Sequence, residues 1–250
     1  MNKALQFFYL ESKVALRVPM SIFFAMIFPL LLLCVMVMTT KNHVIYENFH
    51  FVDVYTPSLA LLTLLTTGVT SLSIVVSVNR SKKIWQTYVL KGLNLYHIIF
   101  SQIAVYLLLA FISTLLAIFV GHQCFDLILP SFNNFLMFCF VWLLSAINIF
   151  LLGFTIGCLL NNEKSAQQTS TIIMFLLMVF SGVFTNIQSF PLYVQNIVKY
   201  LPSTQAYYIL SNYWLNSNNY FEVSWGVLII WAVFLIGIII WKLKKDNFSR

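Results

Sequence analysis

The stretch that decides the fold is TPSLALLTLLTTGVTSLSIVVSV at residues 56–78, then NRSKKIWQTYVLKGLNLYH at 79–97, then IIFSQIAVYLLLAFISTLLAIFV at 98–120. Two 23-residue runs free of Lys, Arg, Asp and Glu flank a segment holding four basic residues. About 20 apolar residues cross a bilayer as a helix, so each run is long enough to span. Working outward, four further uncharged windows lie at residues 18–38, 132–160, 169–187 and 223–241. Continuous apolar runs of this length predict helices, because barrel strands alternate over about ten residues. The whole chain fits this reading: of 250 residues, 60% are hydrophobic and 8% charged. A soluble domain carries about 25% charged residues. A soluble enzyme and a disordered chain are both excluded. The expected fold is an all-α polytopic membrane protein with six transmembrane helices in a single domain, residues 1–250.

Orientation follows from the basic residues. Lys3, Lys13 and Arg17 precede the first span; Arg80, Lys82, Lys83 and Lys91 separate the second and third; Lys164 separates the fourth and fifth. Lys242, Lys244, Lys245 and Arg250 follow the sixth, leaving only Lys41 and Lys199 for the opposite side. Basic residues are retained on the cytoplasmic side, so both termini are expected there. The net charge of +7 thus reports topology and needs no nucleic-acid partner.

Residues 1–17 do not read as a cleavable signal peptide. They read as an interfacial amphipathic helix, or as a plain basic flank of the first span. Lys3, Gln6, Lys13 and Arg17 share one face, with Leu5, Phe8, Ala15 and Leu16 on the other and Leu10 and Glu11 breaking the pattern.

Catalytic chemistry is not legible. Cys34, Cys124, Cys139 and Cys158 form no C-x-x-C pair, and His43, His50, His97 and His122 form no i, i+4 pair. His43 and His50 with Glu47 and Asp53 read as a solvated loop, and no metal site is assigned. No nucleophile elbow, zinc helix or phosphate loop occurs, so this chain is not expected to bind ATP itself. Every window lacks ionisable groups, which disfavours a proton-coupled carrier.

Three segments carry information. In residues 79–97, Ile84, Trp85, Tyr88 and Val89 recur at helical spacing beside Lys82, Lys83 and Gln86, and Gly92 can end the helix. Such a helix either rests among lipid headgroups or presents an aromatic anchor and basic rim to a cytosolic partner. In residues 152–168, Gly153 and Gly157 share a helix face and permit close packing. The polar loop after them, residues 161–166, leads into Gln167, Gln168, Thr169, Ser170 and Thr171, which are costly against lipid. After the fifth span, Ser181 and Gly182 lead to residues 188–212, too apolar for a solvated loop and broken by Pro191 and Pro202. Two short helices starting at those prolines would fit, with Tyr193, Tyr200, Tyr207, Tyr208, Tyr213 and Trp214 as an interfacial belt.

The order of these segments resembles the permease subunit of type-2, exporter-class ABC transporters. The matching residues are Asn162, Glu163 and Ala166 in an Asn-Glu-x-x-Ala loop, then Ser181, Gly182, Pro191, Pro202 and Tyr207. The resemblance implies an N-terminal interfacial helix, a cytoplasmic coupling helix and a re-entrant outer hairpin between spans five and six. It implies a cytosolic ABC ATPase partner carrying ATP and Mg, and a second permease subunit, identical or homologous, in the cell membrane. The coupling pattern usual in the family's drug-exporting members, Glu-Arg-x-x-Gly-Thr-Leu-Glu ending in Thr-Pro, has Asn79, Lys83, Ile84 and Gln86 here at its first Glu, Gly, Thr and last Glu and Gly92 at the proline, with only Arg80 retained. Candidate ATPase-docking residues are Arg80, Lys82, Lys83, Trp85 and Tyr88. Candidate path residues are Thr63, Thr66, Thr67 and Thr70, then Asn148 and Thr155, then Gln167, Gln168 and Thr171. The four threonines of the second span fit equally well as hydroxyls bonded to their own helix. Apolar walls suit an amphipathic or lipidic substrate such as a drug, a peptide or a lipid-linked glycan. The competing reading is an ATP-independent membrane immunity or peptide-binding protein.

Overall fold

The computed structural model describes residues 3–15, 23–40, 42, 44–46, 49–184, 187–216 and 224–245. Helix α1 is Lys3–Ala15. A π-helical turn, Phe23–Ile27, leads into α2, Phe28–Thr40. A small antiparallel pair follows, β1 Val44–Tyr46 and β2 Phe49–His50, the only departure from helix among the described elements. Then come α3 Phe51–Ser81, α4 Ile84–Leu90, α5 Leu95–Phe125, α6 Phe132–Leu159 and α7 Glu163–Phe180. The last three are α8 Leu192–Val198, α9 Pro202–Leu215 and α10 Trp225–Lys245.

Four of these helices are long and apolar enough to cross a membrane: α3, α5, α6 and residues Trp225–Lys244 of α10. The first expected span appears as the shorter Ala25–Thr40, its N-terminal part lying outside the described residues. The fifth expected span falls on α7, which is not among those four; it opens on Glu163 and Lys164 and ends at Phe180, seven residues before the expected limit of 187. The chain is a helical, multi-pass membrane protein, and α3 and α5 overrun their uncharged windows at both ends. The overrun brings Asp53 into the first turn of α3, where it is fully buried.

Helix α3 is the hub. It packs against α2, α5, α6, α7 and α9. Its middle, Leu65–Leu72, is π-helical, and the local chemistry explains why. Thr66 and Thr67 donate to the carbonyls of Leu62 and Thr63 at 3.0 and 2.5 Å, and Ser71 donates back five residues to Thr66 at 3.2 Å. Hydroxyls inserted into the carbonyl ladder distort a helix, and Gly68 removes the side chain that would resist. The widened turn meets α6 at its glycines. A Cβ on Gly153 would lie 1.9 Å from the Gly68 carbonyl oxygen, and one on Gly157 would lie 2.6 Å from that of Ser73. The two backbones are therefore in direct contact, as the Gly153–Gly157 spacing predicts.

The end of the bundle that carries β1 and β2 is knotted by two polar side chains. Asp53 accepts from the backbone of His50 at 2.8 Å and of Ile128 at 2.7 Å. Asn42 donates to the Phe125 carbonyl at 2.9 Å and accepts from Val52 N at 3.1 Å. Together they join the hairpin, the start of α3 and the end of α5. His43 and Glu47, read with His50 and Asp53 as one loop, lie outside the described residues.

Helix α1 docks through one line of its residues. Phe7, Glu11 and Ala15, spaced four apart, are buried, and α1 packs on α5. Tyr9, Leu10 and Val14 are exposed beside Lys13. The side chains of Lys3, Leu5, Gln6, Leu16 and Arg17 lie outside the described set. Glu11, an exception to the sequence pattern, is the centre of the docked face: Gln102 of α5 donates to its carboxylate at 2.8 Å. Burial pushes the Glu11 carboxyl above its ordinary range, and the Gln102 bond lowers it in part. An acid raised in the fold makes stability fall as pH climbs from the unfolded carboxyl's range through the folded one. Melting in detergent at about pH 8 is therefore expected below that at about pH 5, and Glu11→Gln is expected to flatten the difference and raise the pH 8 value. An unchanged pH slope in the variant would contradict the buried-carboxyl account.

Candidate functional site

The five docking candidates divide by direction. Lys82 and Lys83 are exposed at the turn between α3 and α4. Trp85 is fully buried and stacks on Phe154 of α6, centroids 6.0 Å apart at 12°. Tyr88 is half-buried and meets the edge of Phe7 in α1, 5.0 Å away at 80°. Arg80 turns inward, donating to the carbonyls of Gly157 at 3.5 Å and of Cys158. Trp85, Tyr88 and Arg80 thus make contacts that hold α4 to its own chain. The outward face of the α4 segment is instead Lys82, Lys83, Gln86, Thr87, Leu90 and Lys91, with Leu90 88% exposed.

The local backbone explains how a short helix is held there. Lys83 precedes α4 in the left-handed region, φ 55°, at the position where the exporter pattern carries glycine. Gly92, φ 80°, ends the helix, with Leu93 N bonded to Tyr88 O at 3.1 Å. A lysine keeps the turn a glycine would make, at a backbone cost of about 1 kcal/mol.

The path candidates are not gathered into one lining. Thr63, Thr66, Thr67 and Thr155 are buried and bonded to carbonyls of their own helices, and Thr63 also meets Thr114 of α5 at 2.9 Å. Thr70 donates to the sulfur of Met174 in α7 at 3.2 Å. Thr63, Thr66 and Thr67 thus bond carbonyls of their own helix, whereas Thr70 reaches α7. Asn148 donates to Leu144 O at 3.1 Å, and its buried Oδ1 has no partner among the described residues. Gln167 and Gln168 are exposed and Thr171 half-exposed, on the face of α7 that also shows Ile172, Phe175, Leu176 and Val179.

The motif residues have physical jobs. Asn162 caps α7, accepting from Lys164 N at 3.2 Å, and Glu163 sits in the first turn, where a negative charge is favoured. Ala166 is buried one turn on. At the far end of α7, Ser181 bonds Met178 O at 2.9 Å, and Gly182 turns the chain at φ 91° under the ring of Tyr207. Pro191 precedes α8 as its cap and Pro202 opens α9, both at helix starts as expected. Thr204 of α9 donates to Phe180 O at 3.1 Å, tying the hairpin to α7.

Sequence reasoning missed Phe7, Ser77, Gln102 and Phe154. Spacing of four from Phe7 to Glu11 to Ala15, and of three from Ser77 to Arg80, was the available signal.

Among the described residues, the exposed polar side chains include Lys82, Lys83, Gln86 and Lys91 on and beside α4 and Gln167 and Gln168 at the start of α7. A family model described as ABC-2 family transporter protein matches residues 37–241, and the chain belongs to that family. A search of curated proteins found no match.

Proposed function

We propose that the chain is the membrane subunit of an ATP-driven exporter in the cell membrane. It crosses six times, with α2 and the residues before it as span one and α7 as span five. Both termini lie on the cytoplasmic side, and α1 lies in that interface. The α8–α9 hairpin is the outer re-entrant element. A cytosolic ABC ATPase, carrying ATP and Mg, docks on α4. A second permease subunit covers the α7 face bearing Gln167 and Gln168, which are costly against lipid. The substrate is amphipathic or lipidic, a drug, peptide or lipid-linked glycan, because the helix faces are apolar.

The observation that carries this reading is α4 itself. Its aromatic side is locked onto α6 and α1, and its other side presents Lys82, Lys83 and Lys91 around exposed Leu90. A short helix pinned from within and basic outside is built to receive force from a partner. The test is co-purification with a candidate ABC ATPase co-expressed with the chain. Reversing both charges, Lys82→Glu with Lys83→Glu, is expected to weaken retention about tenfold at low salt, with a smaller effect at high salt. A wild-type chain that retains no ATPase contradicts the reading.

A further inference from the structure

Helix α6 ends with carbonyls that no helical turn can satisfy. Leu160 N closes the last turn on Ile156 O at 3.1 Å. Three of the carbonyls beyond it are taken by α3. Arg80 donates to Gly157 O and Cys158 O, and Ser77, three residues earlier on the same face, donates to Leu160 O at 3.0 Å. Two residues after Leu160 comes Asn162, the cap of α7. Beside this clasp, Trp85 of α4 stacks on Phe154 of α6. The corner between α3 and α4 therefore grips the end of α6 twice, once through a cation on carbonyls and once through paired rings.

We propose that Arg80 is a positioning residue of the transport cycle, tying the α3–α4 corner to the last carbonyls of α6, so that force received on α4 moves the α6–α7 turn with it. The guanidinium suits this task. It presents several donors in a fixed plane, and its charge complements the negative end of the α6 dipole. A group spent on those carbonyls is not the group that meets an ATPase. The source of the force rests on the docking reading; the tie rests on the contacts alone.

The experiment measures the distance between spin labels at Gln86→Cys and Asn161→Cys, both exposed, with the four native cysteines replaced by alanine. With Arg80 present, a single narrow distribution is expected, unchanged when ATP and Mg are added to the ATPase complex. Arg80→Gln is expected to broaden it about twofold and make it respond to ATP, while ATPase capture stays within about twofold of wild type. Arg80→Lys, which keeps the charge but not the planar fork, is expected between the two, and it serves if the glutamine variant does not fold. An unchanged distribution in both variants overturns the proposal. So does loss of capture with the distribution intact, which would make Arg80 a docking residue. If the wild-type chain captures no ATPase, the docking reading fails, and the nucleotide-free widths still decide the tie.

Discussion

Gly153→Ala is expected to abolish most of the folded protein, although it adds a single methyl group. That methyl would sit 1.9 Å from the carbonyl oxygen of Gly68 and 3.0 Å from the Val69 Cα. Both obstacles are backbone, so no rotamer change relieves them, and the π-helical turn of α3 must separate from α6. Over-packing a core against side chains costs about 1–3 kcal/mol, and backbone obstacles place this site at the upper end or beyond. Gly237→Ala in α10 is the matched control. Nothing lies within 4 Å of the added atom there, and alanine in a helix interior is favoured over glycine by about 0.5–1 kcal/mol. The same chemical change should thus lower the detergent melting temperature at one position and leave or raise it at the other. Equal melting of the two variants would contradict the backbone contact between α3 and α6.

Trp85→Ala is the second large expected effect. The indole is fully buried and pairs with Phe154. Truncating a buried tryptophan costs about 3–5 kcal/mol, part of which is the ring pair itself. The loss falls on a helix of 7 residues, too short to persist without tertiary support. Helix α4 is therefore expected to detach while the spans remain folded. Trypsin should then cut at Lys82, Lys83 or Lys91 at least about tenfold faster, since cleavage follows the open population. ATPase retention should fall with it. Tyr88→Phe keeps the ring on Phe7 and should change neither. Full protease protection in Trp85→Ala would show that α4 is held by something else.

Much of the scaffold was legible in the sequence. Uncharged runs marked the long helices, Pro191 and Pro202 marked two helix starts, and Gly153 with Gly157 marked the tight crossing. These signals are local: a proline, a glycine pair or a charge acts through its own backbone. The direction of a face was not legible. The spacing of Trp85 and Tyr88 shows that they share a side of α4, yet the same side serves an internal contact or an external one. In soluble proteins polarity separates the two, because outside means water. An aromatic side chain suits a core, a headgroup layer or a partner's pocket alike, so the spacing of Trp85 gives no direction; in the fold it stacks inward on Phe154. Glu11 breaks the sequence pattern for a related reason: a carboxylate marks a wet face only when no amide such as Gln102 meets it inside. The threonines of α3 fit path and helix equally by sequence; in the fold Thr63, Thr66 and Thr67 bond the Ala60, Leu62 and Thr63 carbonyls, and Thr70 meets Met174.

The central claim is that the outer face of α4 receives an ATPase. The most direct measurement places a photo-crosslinking residue at Leu90, 88% exposed on that face, and at Ile230, 69% exposed on α10, in cells co-expressing the chain and the ATPase. The account predicts an adduct from Leu90 to a polypeptide that labels with an ATP analogue, and none from Ile230. An absent adduct at Leu90, or the same adduct at both positions, would contradict it.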